Sequence, residues 1–365
     1  MAQADEISSS WQQSSVADLI STFIWFFLTC PVCFFNMSNS IINKQSQQQN
    51  SQPRVAVSAC LLGQRVRYDG NQKQHAFVCR QLQKWLTLEA ICPEVEIGMG
   101  VPRPPIMLIE VAGRIKAVGV DRDGLDVTQK LNRFGSQTAH QLSDLDAYIF
   151  KARSPSCGVT STPIKHSDDS SKKGAGLYAA QIIKQLPLLP VVEESRLESI
   201  AQQVNFLQRL AAHWRWRMFV NQAPGWSELE QFHHDNRFSL MAHGIGGLRG
   251  LNTWLTEHRK NGPISKSHLQ IYALQYMAQF SRQASRRRHV LVLVNIAKLL
   301  RPIVSEKQYD GLFSLIDQFR QAKRSLYSVI SQLRKHQDSV SLQVLERQAY
   351  FDISTEIWRW LYKKQ

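Results

Sequence analysis

Three short apolar runs in the first half of the chain each end at a cysteine set in a small-residue or proline turn. Arg54–Ser58 leads to Cys60, Ala90-Ile91 to Cys92, and Ala147–Phe150 to Cys157 through Ser154-Pro-Ser156. A buried strand reads as a short apolar run, and α/β sheets collect their chemistry at the carboxyl ends of parallel strands. The pattern therefore predicts an α/β domain with a Rossmann-like sheet whose Cys60, Cys92 and Cys157 converge on one edge. Three soft thiolates suit an iron–sulfur cluster or zinc; spacing alone leaves both open, along with a cysteine-nucleophile enzyme. If the group is a four-iron cluster, three protein ligands leave one iron free for an outside atom.

The neighbours of these cysteines add polar chemistry. Ser154, Ser156 and Gly158 surround Cys157 and offer hydroxyl and N–H donors to a bound group. Glu94, two residues after Cys92, is a candidate for proton transfer, and Ser58 and Asp69 are weaker neighbours of the site. Helical spacing predicts helices over 77–90 and 127–142, and a hairpin from 106–111 with 115–120. Cys79 falls within the first helical pattern and reads as a buried structural thiol.

Residues 19–35 carry no charge, yet the run is at the short limit for crossing a bilayer and lacks a positively charged lead. Cys30 and Cys33 form a lone CxxC without a second pair at zinc spacing. A Gln/Asn/Ser-rich tract follows to residue 53 and reads as disordered. Residues 1–53 are expected to be a disordered or upstream extension, with Met37 as the natural start. Six cysteines in 365 residues are too few for a disulfide scaffold, which points to a cytoplasmic protein with no stable membrane association.

Charge divides the chain. Residues 201–365 hold 24 Lys and Arg against 11 Asp and Glu, whereas residues 1–200 hold 20 against 18. A basic second half favours a polyanionic partner. Its periodicity predicts an all-α bundle, with helices over 228–241, 247–257, 265–282, 289–300, 306–334 and 341–362. Arg215, Arg217, Arg286, Arg287 and Arg288 are candidates for holding phosphates, with Arg249, Arg259 and Lys260 behind them. Trp214 and Trp216 interleave with two of these arginines. Phe232-His233-His234 and His243 lack partners at metal-binding spacing and read as satisfied helix histidines.

Val57-Ser-Ala-Cys-Leu-Leu-Gly63, Val66-Arg-Tyr-Asp-Gly70, Cys92-Pro-Glu-Val-Glu-Ile-Gly98, Val101-Pro-Arg103, Asp126-Val-Thr128 and Ser154-Pro-Ser-Cys-Gly158 together resemble the thiouracil desulfidase family. Gly174-Ala-Gly-Leu177 and Leu189-Pro-Val-Val-Glu-Glu194 continue the likeness, which departs where Ser195 replaces the family's usual Gly. The resemblance implies a desulfidase domain over 54–206 with a [4Fe–4S] cluster on Cys60, Cys92 and Cys157. It also implies Glu94 and Ser154 as the residues that protonate or orient the base. Through Phe232-His-His with Met241-Ala-His243, Gly247-Leu, Ser305-Glu-Lys and the Arg-rich run before His289, 207–365 more loosely resembles the YbgA-type helical domain, departing from it at Leu291, Asn295 and Lys298. Such fusions imply desulfuration of 4-thiouridine in tRNA, with the helical domain serving the RNA. The alternatives are a desulfidase of free thiouracil or thionucleosides, and a non-enzymatic, cluster-stabilised RNA-binding or redox-sensing protein.

Overall fold

The computed structural model describes residues 52–166, 170–260, 262–334, 347–352 and 356–364. The apolar run 19–35, the Cys30/Cys33 pair and Met37 lie outside the described residues, as do 341–346 and 353–355 of the expected last helix. Gln52–Gln365 forms one compact unit.

Its first half is α/β. Strands β1 (Arg54–Ser58), β2 (Thr87–Ile91), β3 (Ile106–Val111), β4 (Arg114–Gly119), β5 (Ala147–Phe150), β6 (Thr162–Lys165), β7 (Ser171–Gly174) and β8 (Val191–Glu193) build two sheets. The first has the order β2-β1-β5-β8, every pair parallel; the second has the order β4-β3-β6-β7. Between them run helices α1 (Ala76–Arg80), α2 (Pro93–Glu96), α3 (Thr128–Gln141) and α4 (Leu177–Gln185). The second half is helical: α5 (Ile200–Val220), α6 (Trp226–His243), α7 (Ile245–His258), α8 (Lys266–Phe280), α9 (Arg286–Leu300), α10 (Glu306–Arg320), α11 (Leu326–Arg334) and α12 (Glu356–Lys364). The expected order, an α/β sheet followed by an all-α region, is what the chain adopts.

A parallel sheet must be covered on both faces, and this one is. Ala56, Tyr148 and Phe150 pack with Leu131 of α3 and with Tyr178 and Ile182 of α4. On the opposite face Val55, Val57 and Ile149 join a core with Phe77 and Val78 of α1. That core runs on through Phe206, Leu207 and Leu210 of α5 to Val292 and Ile296 of α9. The helical half thus supplies part of the second covering layer. Helix α5 also runs unbroken through 206/207, where the two domains were expected to meet.

Two expected helices are corrected. The helix over 77–90 stops at Arg80, and Thr87-Leu-Glu-Ala-Ile91 is strand β2 despite its helix-forming residues. Parallel pairing along β1, from Arg54 with Thr87 to Ser58 with Ile91, overrides that propensity. The Arg54–Glu89 ion pair reinforces it, with Arg54 Nε donating to Oε1 at 2.8 Å. The helix over 306–334 is two, broken between Arg320 and Leu326 where Ala322 takes a left-handed φ of 61°.

Candidate active site

Strand β1 is central, with β2 and β5 on either side, so all three cysteine turns emerge from one edge of the sheet. After β1 the chain makes a tight turn, Ala59–Leu62, closed by Gly63 at φ 88°, whose N–H donates to the Cys60 carbonyl at 3.3 Å. Cys92 stands immediately before α2, and its Sγ donates to the Val66 carbonyl at 3.6 Å. Cys157 is held from behind: Ser154 Oγ accepts its N–H at 3.1 Å. Gly158 is obligatory, since a Cβ there would lie 2.0 Å from Thr162 Oγ1.

The three thiols lie within electrostatic reach of one another. Burial and then the neighbouring Cys92 push the Cys60 thiol up to about 11, with Lys151 pulling the other way. Burial raises Cys92, opposed by a backbone N–H and by Arg103. Burial raises Cys157 furthest, with Glu94 and the other two cysteines adding to it against a hydrogen bond to Ser58. Left alone, such thiols stay protonated, because ionising them together would bury mutually repelling charges. Among the described residues no three His, Cys, Asp or Glu side chains group tightly enough to hold one metal ion. By donor type the three cysteines fit an iron–sulfur centre, whose positive irons would offset their repulsion.

Glu94 sits beside them in a built network. Arg103 donates to its Oε2 through Nε at 2.8 Å and Nη2 at 2.7 Å. Ser156, fully buried, donates from Oγ to Glu94 Oε1 at 2.8 Å. The other arm of Arg103 donates to the carbonyls of Val66 and Gly100 at 2.9 and 3.0 Å, which ties Glu94 to the loop that receives the Cys92 thiol. Ser58 accepts the Lys151 N–H at 2.9 Å. Ser154 spends its lone pairs on the Cys157 and Ser156 amides. Asp69 lies at the rim, where a hydrogen bond from Arg67 leads in holding its carboxyl at about 2.

That rim belongs to a polar cavity of about 530 Å³ lined by Arg65, Arg67, Asp69, Asn71, Gln72, Lys73, Lys151 and Arg153. Five of these residues are cationic and one is acidic. Lys151 and Arg67 both act on the Cys60 thiol, so the cavity opens beside the cysteines. Sequence reasoning missed it along with Arg103, because the cations come from two distant segments and join only through the fold. Cys79 instead donates to the Leu61 carbonyl at 3.3 Å, away from the other three.

In the helical half the candidate arginines divide. Arg217 is not free for a partner: it donates to buried Asp146 through Nε at 2.8 Å and Nη2 at 2.9 Å. Arg215 lines a small internal cavity with His243, His289 and Tyr362. Arg286 lies over the Phe319 ring and donates to its carbonyl at 2.7 Å. Arg288 donates to the Gln283 carbonyl at 3.1 Å. Arg287 is exposed, as are Arg249, Arg259 and Lys260. Trp216 is core, packed on Phe219, Phe232 and Tyr272. His233 bonds Tyr272 and Asn252 at 2.9 and 2.6 Å, and His243 donates to the Arg282 carbonyl at 2.6 Å.

Comparison with known proteins finds two family matches along the chain. Residues 55–194 match the model of the 2-thiouracil desulfurase family, and residues 237–354 match a family described as protein of unknown function DUF1722. No curated protein matches the chain. One solved structure, a [4Fe-4S]-dependent thiouracil desulfidase, TudS, is 29% identical; the match covers 40% of this chain and 94% of that one, with a TM-score of 0.33. The chain joins a 2-thiouracil desulfurase domain to a DUF1722 domain.

Proposed function

We propose that the protein is a [4Fe–4S]-dependent desulfidase that removes sulfur from thiolated uracil, with 4-thiouridine in tRNA as its substrate. The observation that carries this reading is that Cys60, Cys92 and Cys157, the first and last of them buried, share one sheet edge with the Glu94–Ser156 pair and a five-cation cavity. The desulfurase family match supports the chemistry.

Cys60, Cys92 and Cys157 would hold the cluster. When bound it supplies an iron without a protein ligand, a Lewis acid for the thiocarbonyl sulfur. The chain's own groups do the rest. The cationic cavity binds a phosphate of the substrate, charge-assisted by Arg65, Arg67 and Arg153. Arg103 fixes one oxygen of Glu94, which leaves the other, now bonded to Ser156, to take a proton from the attacking water. Ring C=S and water become C=O and hydrogen sulfide, so atoms and electrons balance without a reductant. A thiolated base in folded RNA is turned out of its stack to enter the site, while the basic helical surface, with Arg287 exposed, holds the backbone.

Anaerobic reconstitution with iron and sulfide tests the reading, followed by nucleoside analysis of thiolated tRNA. Loss of 4-thiouridine with release of sulfide is expected, and a protein that takes up zinc alone would overturn it. Binding is also expected to weaken about 50–150-fold between 50 and 200 mM salt if about four phosphates are contacted. The cavity also suits the phosphate of a free thiouridine nucleotide. Turnover of that nucleotide by a protein that ignores tRNA at low salt would favour this second reading.

A further inference from the structure

Strand β8 ends in Glu193 and is followed at once by Glu194, two consecutive carboxylates, both buried although neither is among the residues the chemistry above calls on. They grip the turn that carries Cys157 from its two flanks. On the trailing side Glu193 Oε1 accepts four bonds: from the N–H groups of Val159 at 2.7 Å, Thr160 at 3.0 Å and Ser161 at 3.1 Å, and from the Ser161 hydroxyl at 2.7 Å. On the leading side Glu194 accepts the Ala152 N–H and the Lys151 ammonium, the latter at 2.6 Å.

Between these holds the backbone is strained. Arg153 stands in the left-handed region at φ 61°, which a residue with a Cβ rarely adopts. Such a conformation persists only where its surroundings over-determine it. The hold on it is visible: the Arg153 N–H donates at 2.8 Å to Ser161 Oγ, whose own proton goes to Glu193. A relay Glu193–Ser161–Arg153 thus fixes the turn, and the turn presents Lys151 and Arg153 to the cavity and Ser156 to Glu94. Burying a carboxylate is costly unless donors satisfy it, and here two are buried and satisfied by one loop.

We propose that Glu193 is a positioning residue of this site, acting through the 151–161 turn to hold Cys157 in place before any cofactor arrives. What the turn holds rests on the function proposed above, whereas the grip itself does not.

The test uses the full chain without cofactor, with Glu193→Gln, Ser161→Ala and the double variant Arg153→Gly/Ser161→Ala. Iodoacetamide labelling of each cysteine is followed by mass spectrometry under native conditions. Glu193→Gln and Ser161→Ala are expected to speed labelling of Cys157 about 10-fold with Cys60 within twofold of the parent. Glycine adopts a positive φ freely, so adding Arg153→Gly should return the Cys157 rate to within about threefold of the parent. Unchanged Cys157 labelling in both variants, or Cys60 and Cys157 rising together as in general loosening, would overturn the proposal. A parent protein that never assembles a cluster would instead defeat the proposed function and leave this result standing.

Discussion

Asp146→Asn is expected to lower stability by about 3–5 kcal/mol, the cost of stranding one partner of a buried ion pair. Asp146 is 0% exposed and lies immediately before β5. It accepts two bonds from Arg217 of α5 and the Arg54 N–H at 2.9 Å, with His213 at 3.7 Å. The pair ties the sheet to the helical half, and asparagine would leave the Arg217 guanidinium without its counter-charge. Burial pushes the Asp146 carboxyl up, but the nearby His213, the bonds from Arg217 and the Arg54 N–H outweigh it, so the carboxyl titrates below its ordinary range. A lowered folded value means the stabilisation is present above the unfolded value of about 3.9 and lost as pH falls through the folded one. Urea unfolding should therefore show the full gap between parent and variant at pH 7 and a shrinking gap below about pH 4. An equal gap at both values would remove the ion pair as its cause.

Glu94→Gln is expected to reduce turnover about 10²–10⁴-fold, the usual contribution of a positioned proton-transfer group, while iron content stays at the parent level. Glutamine preserves shape but removes the proton acceptor and also the counter-charge of Arg103, so unchanged iron content is the control that separates lost chemistry from a disturbed site. Arg103→Lys is expected to impair turnover too, since an ammonium cannot reach Glu94, Val66 and Gly100 at once as the guanidinium fork does. Turnover by Glu94→Gln equal to the parent's would end the role assigned to that carboxylate.

The strand-then-cysteine pattern was legible because a short buried strand and its turn are local features, and parallel pairing carries them to one edge. The helix α5 was not legible, for a physical reason. It buries Val204, Leu207 and Ala211 at helical spacing but also Phe206, Leu210, His213 and Trp216 beside them, so its apolar face is too broad to stand out as one stripe. Strand β2 was legible only at its end, Ala90-Ile91, since Leu88, Glu89 and Ala90 favour helix until β1 pairs with them. In the site, Glu94 could be picked out by its closeness to Cys92. Arg103, Lys151 and Arg153 could not, because their meaning lies in partners such as Glu94 and Glu194. The arginines of the basic half show the limit of counting charge: Arg217 adds to the total yet serves an internal tie.

Helix α5 lies between the two matched regions and belongs to neither. It is a keel rather than a hinge. Severing the chain at residue 206 would cut it within its first two turns and split Phe206 from Leu207, both packed beneath the sheet. A desulfurase half freed in this way would keep only α1 and its neighbours over the Val55, Val57 and Ile149 face and lose the rest of that layer to water. Transplanting either half onto another protein would therefore require carrying α5 whole, together with the Asp146–Arg217 tie that seats it.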